Sequence, residues 1–175
     1  NVTAPLITAQ QFEYQGGFRM SAARFGDSLK SHASFSNGIF TLNPTKNSMF
    51  VVGNTAEERI GEFLIPEIVN SSDINDFNVM DVAIQNFTQF HNTDRVDTGI
   101  EARFKITGLE YIDNKLLVNY VNWYDGAGTE TDTTVYFDDA ANLASSNVYG
   151  SFQLQGAAHA AGWLSAVPTE WQSLL

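Results

Sequence analysis

The polar and apolar positions of this chain fall into short runs that suit strands. After Gly38 the sequence reads Ile39-Phe40-Thr41-Leu42, then the turn-formers Asn43-Pro44-Thr45-Lys46-Asn47, then Met49-Phe50-Val51-Val52-Gly53. Two β-branched and aromatic runs separated by five turn residues predict a hairpin. A third strand is expected over 59–65, with Ile60, Phe63 and Ile65 as its apolar members and Pro66 as its stop. Upstream, residues 12–19 alternate aromatic and polar positions around Gly16 and Gly17, which predicts a strand with a bulge or a close backbone approach.

The same order recurs further on. Residues 108–112 read as a strand, Asp113-Asn114 as a two-residue turn, and 115–123 as a strand with Leu116, Val118, Tyr120 and Trp123 as candidates for burial. A Gly/Thr/Asp loop over 125–132 leads into a strand over 133–137. Laid side by side, Gly38 matches Gly108, 49–54 matches 116–122, and 60–65 matches 133–138; a third cycle opens at Gly156. The spacings are unequal, 70 residues and then 48. The first exceeds the roughly 40–50 residues of one propeller blade, so an insertion or an extra strand lies between. The pattern predicts an all-β chain of antiparallel sheets of propeller-blade type, an incomplete propeller of two to three blades. It is expected to form one β-rich domain or fragment over 1–175, with units near 34–100 and 101–150 and a partial one from 151.

Residues 73–92 admit two readings. Phe77, Met80, Ile84 and Phe87 fit a helical period, with Asp73 or Asp76 as N-cap. Val79, Val82, Phe87 and Phe90 are poor helix formers, and Asn75, Asn78 and Asn86 interrupt the segment, so an extended outer strand of the first unit is preferred.

Composition narrows the function classes. Nine basic and twenty acidic residues give a net charge of −11 and a pI near 4.4. That balance argues against nucleic acid, which calls for a basic stripe, and against anionic membrane surfaces. The acidic residues are dispersed and read as a solvated face. Cysteine is absent, which excludes disulfides, thiolate metal sites and Cys nucleophiles. No apolar run approaches the ~18 residues of a membrane span, and no segment reads as a signal peptide. At the other end, Trp163, Trp171, Leu174 and Leu175 make an apolar finish that needs something to pack on, either more of a longer protein or a neighbouring subunit.

Several strings resemble a family of uncharacterised, mostly secreted, bacterial and metagenomic β-propeller-like proteins: Gly17-Phe18-Arg19, Ser48-Met49-Phe50-Val51-Val52-Gly53-Asn54, Ile60-Gly61-Glu62-Phe63-Leu64-Ile65-Pro66, and Gly156-Ala157-Ala158-His159-Ala160-Ala161-Gly162-Trp163 followed by Pro168 and Glu170-Trp171. The resemblance spans nearly the whole chain. It implies a propeller-type fold, export, and a match to the N-terminal portion of longer members; it carries no activity. The loop 53–58 departs from the family in having no His.

Candidate chemistry is sparse. A propeller-type polysaccharide lyase needs a His or Tyr as base and acid and a cation for the uronate carboxylate. His159, Tyr120 or Tyr124, and Arg19 or Arg24 would supply these. The plainer reading makes His159 a locally hydrogen-bonded residue in a Gly/Ala-rich stretch, and His32 and His91 loop or element-end residues. Asp125, Glu130 and Asp132 are raw material for a calcium loop, but their spacing fits no known cage, and a polar hairpin loop explains them better. Asp138-Asp139 suits a turn or a helix N-terminus without any metal. There is no Gly-x-Ser-x-Gly elbow, phosphate loop or dinucleotide fingerprint, and no cofactor is expected.

The aromatic set carries the most functional weight. Tyr120, Trp123 and Tyr124 gather at one hairpin end and Trp163 near the terminus; exposed, they would form a ligand surface of the kind shared by carbohydrate-contacting faces and protein interfaces, and buried they are core. The expectation is a secreted or surface-exposed, non-catalytic binding or structural module with a carbohydrate or protein partner. Self-association through the C-terminal segment is a further expected contact. The alternatives are the lyase and a subunit of a virion or extracellular filament.

Overall fold

The computed structural model describes residues 7–89, 104–122, 125–153 and 162–173. In chain order the strands are β1 (Arg19–Met20), β2 (Phe40–Asn43), β3 (Ser48–Val52), β4 (Ile60–Leu64), β5 (Val79–Met80), β6 (Ala83–Thr88), β7 (Phe104–Ile112), β8 (Lys115–Asn122), β9 (Thr134–Phe137) and β10 (Val148–Phe152), followed by the short helix α1 (Thr169–Gln172). The chain is all-β. Two four-stranded antiparallel sheets, ordered β2-β3-β4-β6 and β7-β8-β9-β10, are each a meander in sequence order, and β1 pairs in parallel with β5.

The hairpin and the third strand form where the pattern places them, but Asn43 joins β2 by pairing with Ser48, so the turn is shortened to 44–47. The 113–114 turn also forms, and its residues take φ of 49° and 59°, the left-handed values that a tight two-residue connection requires. Residues 73–92 are extended as far as they are described, to 89. Asp73 does cap, accepting from Asn75 N at 2.9 Å, but only the single turn Ile74–Asp76 follows before β5 and β6. Pairing of β6 with β4 outweighs the helical spacing. The expected strand over 12–19 is corrected: only Arg19 and Met20 are strand, with one bridge from Gly17 to Val69. Phe12 and Tyr14 are exposed, so their alternation has no buried side to turn towards. β7 starts four residues earlier than Gly108, because Gly108 sits beside a bulge inside the strand.

Three layers result. Phe50, Val52 and Ile60 of the first sheet pack against Ile106, Leu109, Leu116, Val118, Tyr120, Val135 and Phe137 of the second. The opposite face of the first sheet, with Val51, Phe63 and Phe87, packs against Met80, Phe18, Met20 and Phe25 around the β1–β5 pair. A sheet covered on both sides must be apolar on both, which is why 49–52 is a continuous apolar run and not an alternating one. The Phe63 ring meets Phe25 edge-on at 5.1 Å and Phe87 at 5.3 Å.

One acid lies inside this stack. Glu62 is completely buried on the face shared with Phe50 and Ile60. Its carboxylate accepts from Asn43 Nδ2 at 3.0 Å, Ser48 Oγ at 2.6 Å and Gln85 Nε2 at 2.6 Å, with Lys46 Nζ at 3.5 Å. Gln85 also crosses to the second sheet's connection, donating to Ala140 O at 2.8 Å and accepting from Leu143 N at 2.7 Å. Buried polar groups persist when every lone pair is matched, and here the matching also ties the two sheets together. Glu62→Leu is expected to cost about 1–3 kcal/mol for each buried donor left without an acceptor. A urea midpoint that falls at unchanged slope is the expected result; a midpoint equal to wild type would show that the network holds nothing together.

Candidate functional site

β2 lies against β7 across the seam between the sheets, where Tyr111 N donates to Thr41 Oγ1 at 3.4 Å. Next to this contact the seam opens into a cleft of about 510 Å³ lined by residues that include Ile39, Thr55, Lys105, Thr107, Val121 and Trp163. A smaller cavity of about 140 Å³ shares Ile39 and Trp163 with it. A third, of about 290 Å³, lies on the other side of Ile39 and is lined by all three methionines of the chain, Met20, Met49 and Met80.

The floor is built by a bulge in β7. Ile106 pairs with Tyr120 and Gly108 with Asn119, leaving Thr107 as the extra residue beside the cleft. The Thr107 hydroxyl is shut off from solvent and has no partner among the described residues. Beside it, the Lys105 ammonium lies 3.3 Å from Glu58 Oε1 and also donates to the Thr55 carbonyl, while Ile106 N donates to Glu58 Oε2 at 3.2 Å. Glu58 is buried and holds a left-handed φ of 48°. Burial pushes its carboxyl pKa up, against the opposing pull of the Ile106 amide and Lys105.

The lip is Trp163, 87% exposed. It is carried by the strip 162–166, which lies on the outer face of the second sheet. Asn119 Nδ2 donates to Gly162 O at 2.9 Å, and Ala166 N donates to Glu110 Oε1 at 3.1 Å. The strip can approach this closely because position 108 is glycine: a Cβ there would collide with the Gly162 carbonyl.

The residues singled out in the sequence scatter. Trp163 is at the cleft. Tyr120 is completely buried between the sheets, its hydroxyl donating to Ser151 Oγ at 2.5 Å and its pKa raised by burial. That places its ring in the core, away from any ligand surface. Arg19 is on β1, half-buried, donating to Phe77 O at 3.3 Å. The first sheet therefore stands between Arg19 and Tyr120. Arg24 is exposed, and His32 is half-buried with Nδ1 accepting from Ser34 N at 3.2 Å. Asp125 accepts from Thr129 N and Glu130 N within its own loop, at 3.1 and 3.0 Å, and Asp132 is exposed. Among the described residues no group of His, Asp or Glu is arranged to hold a metal. His91, Trp123, Tyr124 and His159 lie outside the described residues.

Asp138 and Asp139 serve the turn. Asp138 accepts from Asn147 and Ser146, and Asp139 caps Ala140–Asn142 through Ala141 N at 3.0 Å while also accepting from Asn142 Nδ2 at 2.7 Å. These bonds hold both carboxyls below the usual range, led by Asn147 for Asp138 and by Asn142 for Asp139. Sequence reasoning passed over Lys105, Thr107 and Glu58; their only local mark is a Lys and a Thr flanking Ile106 immediately before a Gly.

These features define a stacked antiparallel β-sheet protein with a cleft at its sheet seam. No family model, curated protein or solved structure matches the chain.

Two outcomes check this geometry. The folded state keeps the Glu58 proton to higher pH than the unfolded chain does. This group's share of stability therefore falls as pH rises from the ordinary glutamate value of 4.5 towards its raised folded value. Glu58→Gln is expected to flatten the melting temperature against pH in that window, and an unaltered slope would refute the burial. Gly108→Ala is expected to cost about 1–3 kcal/mol and to lift the strip, shifting tryptophan emission; an unshifted spectrum with wild-type stability would rule out the close approach.

Proposed function

We propose that the chain is a non-catalytic binding or structural module of propeller-blade type, secreted or surface-exposed, whose ligand surface is the cleft beneath Trp163. Support for the radial arrangement comes from its two meanders, stacked face to face with first strands β2 and β7 in contact. Export follows the family resemblance of the sequence. The observation that carries binding is the position of Trp163: an indole left almost wholly in water at the lip of a cleft that also presents Lys105. A flat rigid apolar face beside hydrogen-bonding groups suits a sugar ring or a peptide at small entropic cost. The partner is carbohydrate or protein.

The lyase alternative loses support, because its proposed Tyr120 is sealed in the core with the first sheet between it and Arg19. The assembly alternative is favoured by one observation, the exposure of Tyr149, Phe152 and Trp171. Incubation with neutral and uronate-containing polysaccharides, with products followed by chromatography, is expected to show retention without new chain ends. Titration should quench tryptophan emission in the wild type and not in Trp163→Ala. Turnover abolished by His159→Ala would replace this reading with the lyase.

A further inference from the structure

All three methionines of the chain meet at one place. Met20 and Met80 are partners in the parallel β1–β5 pair, so their side chains stand side by side on one face. Met49 pairs with Phe63 across β3 and β4 and lies on the face that β1 and β5 cover. Met80 is buried, and Met20 and Met49 are half-buried. The layer that closes over Val51 and Phe63 nevertheless leaves a cavity of about 290 Å³ among the three thioethers. Its wall is chemically one-sided. Among the described residues only Ser36 brings a polar side chain to it, and that hydroxyl is already engaged, donating to Val52 O at 2.6 Å and accepting from Gly38 N at 3.0 Å. Neither a charged side chain nor a histidine is part of the wall among those residues. At the rim Gly38 and Phe40 are exposed, and a Cβ at Gly38 would meet nothing within 4 Å, so the cavity opens to solvent there.

We infer that this cavity is a binding site for a small, uncharged aromatic molecule of two fused rings. Three properties select that class. First, a wall with no free hydrogen-bonding group and no cation leaves a polar or ionised ligand without partners, and burying such a group unpaired is costly. The net charge of −11 works further against an organic anion. Second, the space is roughly twice the ~150 Å³ of an apolar cavity that stays dry and takes benzene, which sets the guest at about ten to twelve carbons. Third, thioether sulfurs are polarisable and make favourable contacts with aromatic rings, and the unbranched methionine side chain adapts to the outline of its guest. Phe18 and Phe40 add ring contacts of their own. A soft metal ion, which thioethers also bind, would leave most of this volume empty. The site uses neither Trp163 nor Lys105, so it stands independently of the ligand proposed for the cleft.

Naphthalene is the probe, and isotope-labelled methionine methyl groups are the reporters. Titration is expected to move the signals of Met20, Met49 and Met80 together and saturably, with nuclear Overhauser contacts from the ring protons to these methyls. Signals that stay in place, or that drift only in proportion to added probe, would overturn the inference. Naphthoate, of similar shape but charged, is expected to bind at least about tenfold more weakly; equal affinity would overturn the uncharged class. Ala33→Phe, which sets a ring into the cavity from its wall, is expected to weaken naphthalene binding by at least about tenfold. Unchanged affinity in that variant, with its strand circular dichroism intact, would place the probe elsewhere and overturn the site. The methyl contacts in the wild type need no variant and decide the site on their own. In Trp163→Ala the methyl shifts are expected at full size even though the polysaccharide quench is lost; their disappearance would put naphthalene in the cleft and remove this site while leaving the cleft reading intact.

Discussion

At β3 and β4 the first sheet is covered on both faces, and the rest of the molecule follows from that. Its strands β3 and β4 turn Phe50, Val52 and Ile60 one way and Val51 and Phe63 the other. Neither set can be left in water, since each large side chain contributes roughly 1.5–3 kcal/mol when fully buried. The second sheet covers one face and the β1–β5 layer covers the other. The long excursion between β4 and β6 supplies β5 to that second cover before the chain returns to finish the sheet as β6.

Glu62 makes the stack specific as well as cohesive. Apolar faces slide over one another at little cost, because burial depends on area and not direction. A buried carboxylate with three side-chain donors from Asn43, Ser48 and Gln85 is satisfied at one register only. Gln85 extends that restriction to the second sheet through Ala140 and Leu143. The seam is therefore held near β6 and the 140–143 turn, and the cleft opens elsewhere, beside β2 and the β7 bulge. The Glu58–Lys105 pair forms a second polar tie there, and burial raises the pKa of the Glu58 carboxyl.

Trp163 reaches the cleft through a backbone contact. The strip that carries it is held by Asn119, itself buried and accepting from Thr134 Oγ1 at 2.8 Å, and by the missing side chain at 108. The outer face of the second sheet is thus the support for the strip that brings Trp163 to the cleft.

Much of the fold was legible in the chain itself. Apolar runs, turn residues and Pro66 marked β2, β3, β4, β8 and β9 to within a residue or two, because strand formation responds to local side-chain chemistry. The matched segments 49–54 and 116–122 fall on the second strands of the two meanders, whereas Gly38 precedes β2 and Gly108 lies inside β7. The aromatic alternation of 12–19 misled because alternation builds a strand only where a neighbour offers hydrogen bonds, and within it only Gly17 and Arg19 find one. Trp163 was visible as a candidate; Lys105, Thr107 and Glu58 were not, since a bulge and a sheet seam leave no mark in spacing. By itself the sequence determined the segments that form β2, β3, β4, β8 and β9, their order and the acidic, cysteine-free composition, all of which follow from nearest neighbours and residue content. Only the tertiary structure decided that Tyr120 is core and Trp163 is surface, because the burial of an aromatic ring depends on which sheet lies over it.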